Sequence, residues 1–192
     1  MLEEEYQATH RPFGAHRNLP PLEVPFSYEI RAAEAADLPD IREIYNHYVL
    51  NSTVTFDEDP MTLKELRAKF AQLGKLGLPF LVAVTPNGHV IGYAYVYPWK
   101  AKAAYRYTVE SSIYLGPAAT GKGLGKALMT ELISRSREAG LKEIVAVIAD
   151  RGADASIRLH EAFGFKEIGH MGRVGFKFGR WLGTVLMQKS LK

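Results

Sequence analysis

The segment Val109–Leu128, VESSIYLGPAATGKGLGKAL, constrains the fold of this chain more than any other. An apolar strand pattern carrying one acid, Glu110, runs into a glycine-rich turn, Gly121-Lys122-Gly123-Leu124-Gly125. An amphipathic helix starts at once, with Leu124, Leu128 and Leu132 on its apolar face. Such a turn aims successive backbone N–H groups at one spot, at the positive end of a helix dipole. The expectation is a seat for a phosphate-bearing ligand, with an upstream carboxylate able to move a proton.

The nucleotide P-loop does not fit. It needs Gly-x-x-x-x-Gly-Lys-Ser/Thr, and here Thr120 replaces the first glycine and Ala127 the metal-binding hydroxyl. The dinucleotide fingerprint Gly-x-Gly-x-x-Gly would require glycine at 126, which is Lys126. The spacing fits x-x-Gly-x-Gly between strand and helix, where backbone amides hold a pyrophosphate without a metal. A glycine-rich turn with no ligand is the plainer alternative.

Composition narrows the classes. At 192 residues with 47% hydrophobic and 23% charged content, the chain reads as one soluble globular domain with a tail. The net charge of +3 and the lack of basic runs with interleaved aromatics argue against nucleic acid. Without cysteine there is no disulfide, thiolate metal site or cysteine nucleophile, and no metal ligand set is expected. Apolar runs such as Ile144–Ala149 are too short to span a membrane. Residues 1–27 are proline-rich, lack a signal-peptide apolar core, and read as an extended arm. A cytoplasmic protein is the expectation.

The remaining pattern is regular. A short strand, Tyr28–Ala33, precedes a helix capped by Asp37, with Ile41, Ile44, Tyr45 and Tyr48 at helical spacing. Thr62-x-x-Glu65 is a capping box for a second helix, with Leu63, Leu66, Phe70 and Leu73 on one face. Strands Phe80–Thr85 and Val90–Tyr97 flank the turn Pro86-Asn87-Gly88-His89, and a long strand spans Arg106–Leu115. The helix Leu124–Ala139, a buried strand Ile144–Ala149 and a helix Asp154–Phe163 follow. Two strands near Phe165–His170 and Thr184–Lys189 close the chain. The order β-α-α-β-β-β-α-β-α-β-β is α/β (α+β): a mixed, mostly antiparallel central sheet flanked by helices.

That order, with the glycine turn after the fourth strand, resembles the GCN5-related N-acetyltransferase (GNAT) superfamily over residues 28–192. Six collinear segments narrow the resemblance: Ile44-Tyr45-Asn46, Thr55-Phe56, Pro98-Trp99-Lys100, Tyr105-x-x-Thr108-Val109-Glu110, Ser156–Glu161 and Gly175–Trp181. Together they are similar to the phosphinothricin and methionine sulfoximine N-acetyltransferases. The resemblance implies acetyl transfer from acetyl-CoA to a small amino-acid-like amine. Glu110 would be the general base, its neighbours Val109, Ile113 and Tyr114 raising its pKa by desolvation. As an isolated residue, Glu110 reads first as an outward-facing acid on a half-exposed strand.

The resemblance also implies the other site residues. His160 would donate to the departing sulfur or hold the pantetheine arm, or be a structural helix histidine. Ile113, Tyr114 and Leu115 would offer a strand edge to the pantetheine amides, and Gly121, Lys122, Gly123, Leu124, Gly125 and Lys126 would wrap the pyrophosphate. Lys100 and Lys102 would clasp the acceptor's acid groups, with Phe56, Tyr105 and Tyr107 lining the same pocket. Phe56, Tyr105 and Trp99 also read as core or subunit contacts. Phe176, Phe178 and Trp181 would anchor a homodimer. Three positions depart from the family pattern: Thr120 for Arg or Gln, Ala153 for Asn and Gly183 for Asp. The other readings are a protein N-terminal or polyamine acetyltransferase, and a CoA-binding module with decayed catalysis.

Overall fold

Strand-forming apolar runs make the frame. A computed structural model describes residues 26–192, so nearly all of the expected N-terminal arm, residues 1–27, lies outside the described residues. The strands are β1 (Glu29–Ala32), β2 (Phe80–Val84), β3 (Val90–Pro98), β4 (Thr108–Leu115), β5 (Glu143–Ala149), β6 (Lys166–Lys177) and β7 (Arg180–Ser190). The helices are α1 (Leu38–Asn51), α2 (Leu63–Lys75), α3 (Leu124–Glu138) and α4 (Asp154–Ala162). The strands form one sheet in the order β1-β2-β3-β4-β5-β7-β6. Every adjacent pair is antiparallel except β4 with β5. The expected element order and fold class are those observed.

The two faces of the sheet carry separate cores. One face packs Ala94, Val96, Val109 and Ile144 against Leu124, Leu128 and Leu132 of α3. The other packs Val82, Tyr93 and Tyr95 beneath Ile41 and Ile44 of α1 and Leu66 and Leu73 of α2. The capping box of α2 is formed: the Glu65 N–H donates to Thr62 Oγ1 at 3.2 Å, and the Thr62 N–H donates to Glu65 at 2.8 Å. Asp37 does not cap α1 with its side chain. Its carboxylate instead accepts two bonds from Arg31, at 2.7 and 2.8 Å, and one from the Glu34 N–H at 2.7 Å. The fork of Arg31 competes for the oxygens that a cap would use.

Three strand assignments change. The fourth strand begins at Thr108, because Ala103–Tyr105 forms a short 3-10 turn before it. The last two strands extend into a long hairpin, with Phe176 opposite Trp181 and Lys177 opposite Arg180. Gly169, Gly172 and Gly175 broke the apolar alternation of β6, so its length was not visible in the pattern. The hairpin turns at Phe178 (φ 50°) and Gly179 (φ 72°), both in the left-handed region that a tight hairpin turn requires.

Candidate active site

The parallel pair β4–β5 is incomplete. Thr108, Val109 and Glu110 pair with Glu143, Ile144 and Val145, and the register stops there. Beyond it β4 continues to Leu115 beside β3, while β5 continues to Ala149 beside β7. The sheet opens as a fork with Glu110 at its apex. A cavity of about 360 Å³ lies at this fork, within the range of ligand sites. Its walls include Glu110 and Ser111–Leu115 of β4, Ala146–Ile148 of β5, and Ser156, Leu159 and His160 of α4. Gly121 and Gly125 close one end.

The glycine turn has the geometry its sequence suggested. Gly121 (φ 74°) and Gly123 (φ 80°) lie in the left-handed region, and Gly123 is the N-cap of α3. Among the described residues no acceptor takes the N–H groups of Gly121 through Gly125, whereas the Lys126 and Ala127 N–H groups bond Gly123 O at 3.0 and 3.2 Å. A run of free amides therefore faces outward at a helix N-terminus. This fits a pyrophosphate held by backbone alone. Leu124 can contribute only its amide, since its side chain is buried in the core. The Lys122 ammonium lies over the Phe26 ring, 4.7 Å from its centre. Thr120 also lines the cavity, and its hydroxyl donates to Pro117 O at 3.0 Å.

Glu110 is half-buried, and burial raises its pKa above the ordinary value of 4.5, with the Lys100 and Lys69 charges pulling it back. It pairs with Tyr97 across β3, so it shares a sheet face with Tyr95 and Tyr97. His160 is buried in α4, with Nδ1 2.8 Å from Ser156 O and its ring edge-on to Phe165. That contact requires the proton on Nδ1, leaving Nε2 an acceptor. Burial lowers the His160 pKa, favouring this neutral ring. Ile113, Tyr114 and Leu115 line the cavity, while the Tyr114 ring packs against Tyr45, Tyr48 and Tyr93. The Tyr48 hydroxyl donates to Leu115 O at 2.6 Å and fixes the free end of β4.

The proposed acceptor residues are not gathered on the cavity wall. Lys100 packs its ammonium 4.6 Å from the Trp99 ring centre. Lys102, Tyr105 and Tyr107 are exposed, and Arg106 stacks over Tyr107. The Phe56 ring covers Gly175 of β6, where an added Cβ would stand 2.6 Å from Phe56 Cε2. The loop carrying Phe56 is tied to the hairpin by the buried Lys177, whose ammonium donates to Thr55 O at 2.8 Å. Ser111, Ser112 and Ser156 line the cavity although the sequence assigned them no site role, because small polar residues carry no spacing signal.

The sequence signature of the acetyltransferase (GNAT) family matches residues 41–165. The chain belongs to that family. As a member it is an acetyltransferase using acetyl-CoA. Phosphinothricin N-acetyltransferase of Alcaligenes faecalis is 43% identical over 162 residues, 84% of this chain and 82% of that one. L-methionine sulfoximine/L-methionine sulfone acetyltransferase of Pseudomonas aeruginosa is 44% identical over 165 residues, covering 86% and 95%. A phosphinothricin acetyltransferase of Sinorhizobium meliloti, solved in complex with acetyl-CoA, superposes with a TM-score of 0.81. It is 46% identical, over 85% of this chain and 88% of that one. No helix among the described residues is long and apolar enough to cross a membrane.

Proposed function

We propose that this acetyltransferase acts on the primary amine of a small amino-acid-like acceptor of the phosphinothricin, methionine sulfoximine or methionine sulfone type. Transfer is direct, with Glu110 as general base. The observation that carries this reading is Glu110 at the apex of the fork, half-buried and with its pKa raised. A carboxylate there is a better proton acceptor than one in water.

Acetyl-CoA supplies the thioester carbonyl that the amine attacks. The acceptor arrives as an ammonium, and Glu110 takes its proton through a water. The nitrogen–carbon bond then forms as the carbon–sulfur bond breaks, CoA departs as the thiolate, and the proton shed by the new amide nitrogen reaches that thiolate through solvent. Gly121, Lys122, Gly123, Leu124, Gly125 and Lys126 seat the pyrophosphate, and the edge of Ile113–Leu115 holds the pantetheine. His160 is assigned to the arm rather than to the sulfur. With its proton committed to Ser156 O, Nε2 accepts a hydrogen bond and has none to donate. Lys100 stands at the acceptor side, near enough to Glu110 for its charge to act on it. The Pro98–Ala104 loop carries lysines and no acid, which disfavours a polyamine.

A homodimer belongs to the same reading. β6 is an edge strand exposed on both faces, and Phe176, Phe178 and Trp181 project from its hairpin at 55%, 56% and 49% exposure. A second copy covering these rings accounts for them best. The function is tested by thiol release from acetyl-CoA with phosphinothricin, methionine sulfoximine, methionine sulfone and ordinary amino acids. Glu110→Gln is expected to lower kcat/KM by about 10²- to 10⁴-fold. Unchanged turnover in that variant overturns the role of Glu110. No release with any acceptor, while acetyl-CoA still binds, overturns the acceptor class.

A further inference from the structure

Helix α2 carries Lys64, Arg67, Lys69 and Lys75, and of these only Lys69 is half-buried. It falls between Leu66 and Leu73 on the stripe that packs on the sheet, so its stem is directed over β3. Its ammonium lies 3.3 Å from the Tyr95 hydroxyl and 5.3 Å from that ring's centre. It belongs to none of the ion pairs among the described residues. An ammonium has three donors and wants anionic acceptors, and a tyrosine hydroxyl is a neutral one. Lys69 is thus a half-buried cation with no ion pair of its own, although its charge reaches Glu110.

Its position relative to Glu110 follows from the register. Tyr97 is opposite Glu110, and Tyr95 is opposite Ser112. Tyr95 therefore lies one pleat repeat, about 6.6 Å, along the same face from the base. An amine approaching Glu110 through a water brings the acid group on its neighbouring carbon to the face on which the Lys69 charge already acts on Glu110. One turn further along α2, Gln72 Oε1 accepts from the Tyr97 hydroxyl at 3.1 Å, fixing the helix over the same two tyrosines. Lys69 is held on this face by a helix, whereas Lys100 and Lys102 sit on a loop.

We propose that Lys69 binds the α-carboxylate of the acceptor, so that the enzyme selects amino acids over plain amines. The assignment rests on the acetyl-transfer reading above. It names a specificity-determining residue on α2, separate from the loop lysines.

The test compares methionine sulfone with the primary amine left when its carboxylate is removed, in the wild type, Lys69→Met and Lys69→Arg. The wild type is expected to prefer the amino acid. In Lys69→Met, kcat/KM for methionine sulfone falls about 10- to 100-fold, the worth of a charge-assisted hydrogen bond, chiefly through KM. For the plain amine the loss is smaller by at least about fivefold, and the KM for acetyl-CoA stays within about twofold. The amine also controls for any effect of the Lys69 charge on Glu110, which would change both substrates alike. Lys69→Arg keeps most of the preference, because a guanidinium also pairs with a carboxylate, and it reports on the site even where Lys69→Met folds poorly. Equal losses on both substrates, or none on either, overturn the assignment. A wild type that acetylates both equally overturns it too, while leaving the acetyl-transfer reading intact. A wild type that releases no thiol with any amine overturns that reading first, and the assignment with it.

Discussion

Gly183→Asp installs the residue that the family resemblance expects after Trp181-Leu182, and this fold should reject it. Gly183 N–H donates to Asp150 Oδ1 at 3.0 Å, and Asp150 Oδ2 is bonded by His170 Nε2 at 3.1 Å. A Cβ on residue 183 would overlap Asp150 Oδ2 and the Met171 carbonyl oxygen, and would lie 2.9 Å from Asp150 Cγ. The Met171 carbonyl is backbone where the β6–β7 register shifts opposite Gly183, so it moves only with the strand itself. Overpacking of this kind costs about 2 kcal/mol. Losing the charge-assisted bond to the Gly183 N–H costs about 2 more, and the second carboxylate repels the first. For a domain of this size a loss of about 4 kcal/mol lowers Tm by roughly 8–16 °C. Thermal unfolding followed by fluorescence measures it. The double variant Gly183→Asp/Asp150→Gly removes the carboxylate overlap and repulsion but keeps the collision with Met171 and still lacks the bond from the residue 183 N–H, so it should recover only a minor part of the loss. A Gly183→Asp protein melting within about 2 °C of the wild type would refute the reasoning, since the strand pair would then yield to a Cβ at little cost.

The pH profile gives a second prediction. Glu110 has a raised pKa, so its base form is lost as pH falls through a value above 4.5, and kcat/KM should fall on that acid limb. Lys100 lowers this pKa, so Lys100→Met should move the limb to higher pH; a limb that stays put separates Lys100 from the base. Asp37 has a lowered pKa, chiefly because Arg31 bonds it. Its contribution to stability is present above the unfolded value of 3.8 and is lost as pH falls through the lower folded value. Asp37→Asn should therefore cost about 1 kcal/mol at neutral pH, with urea midpoints of variant and wild type converging as pH falls below 3.8.

The legible parts of the site were those set by short-range chemistry. The glycine turn could be read because left-handed backbone at Gly121 and Gly123 is nearly closed to other residues. Glu110 could be read because a lone acid in an apolar strand stands out. Lys69 was hidden because α2 was read by its apolar stripe, and a lysine between Leu66 and Leu73 looks like a break in it. The signal was there: a cation at a core-facing position asks for a partner. Asp37 looked like a helix cap because the competing Arg31 fork is a contact between side chains, not a spacing. The length of β6 was missed because three glycines interrupt a strand that its antiparallel partner β7 holds in place.

By itself the sequence determined the order of strands and helices, the capping box of α2, the glycine turn and the family. These depend on residues a few positions apart, whose dihedral preferences and local hydrogen bonds do not wait for the fold. Only the tertiary structure decided that β4 and β5 part after Glu110 and Val145, opening the groove at that point. Only it turned His160 into an acceptor, set Phe56 on Gly175, and brought Lys69 over Tyr95. Those relations join elements far apart in the chain. They follow from which strand faces line up and which side chains then compete for the same partners, and no local pattern encodes that.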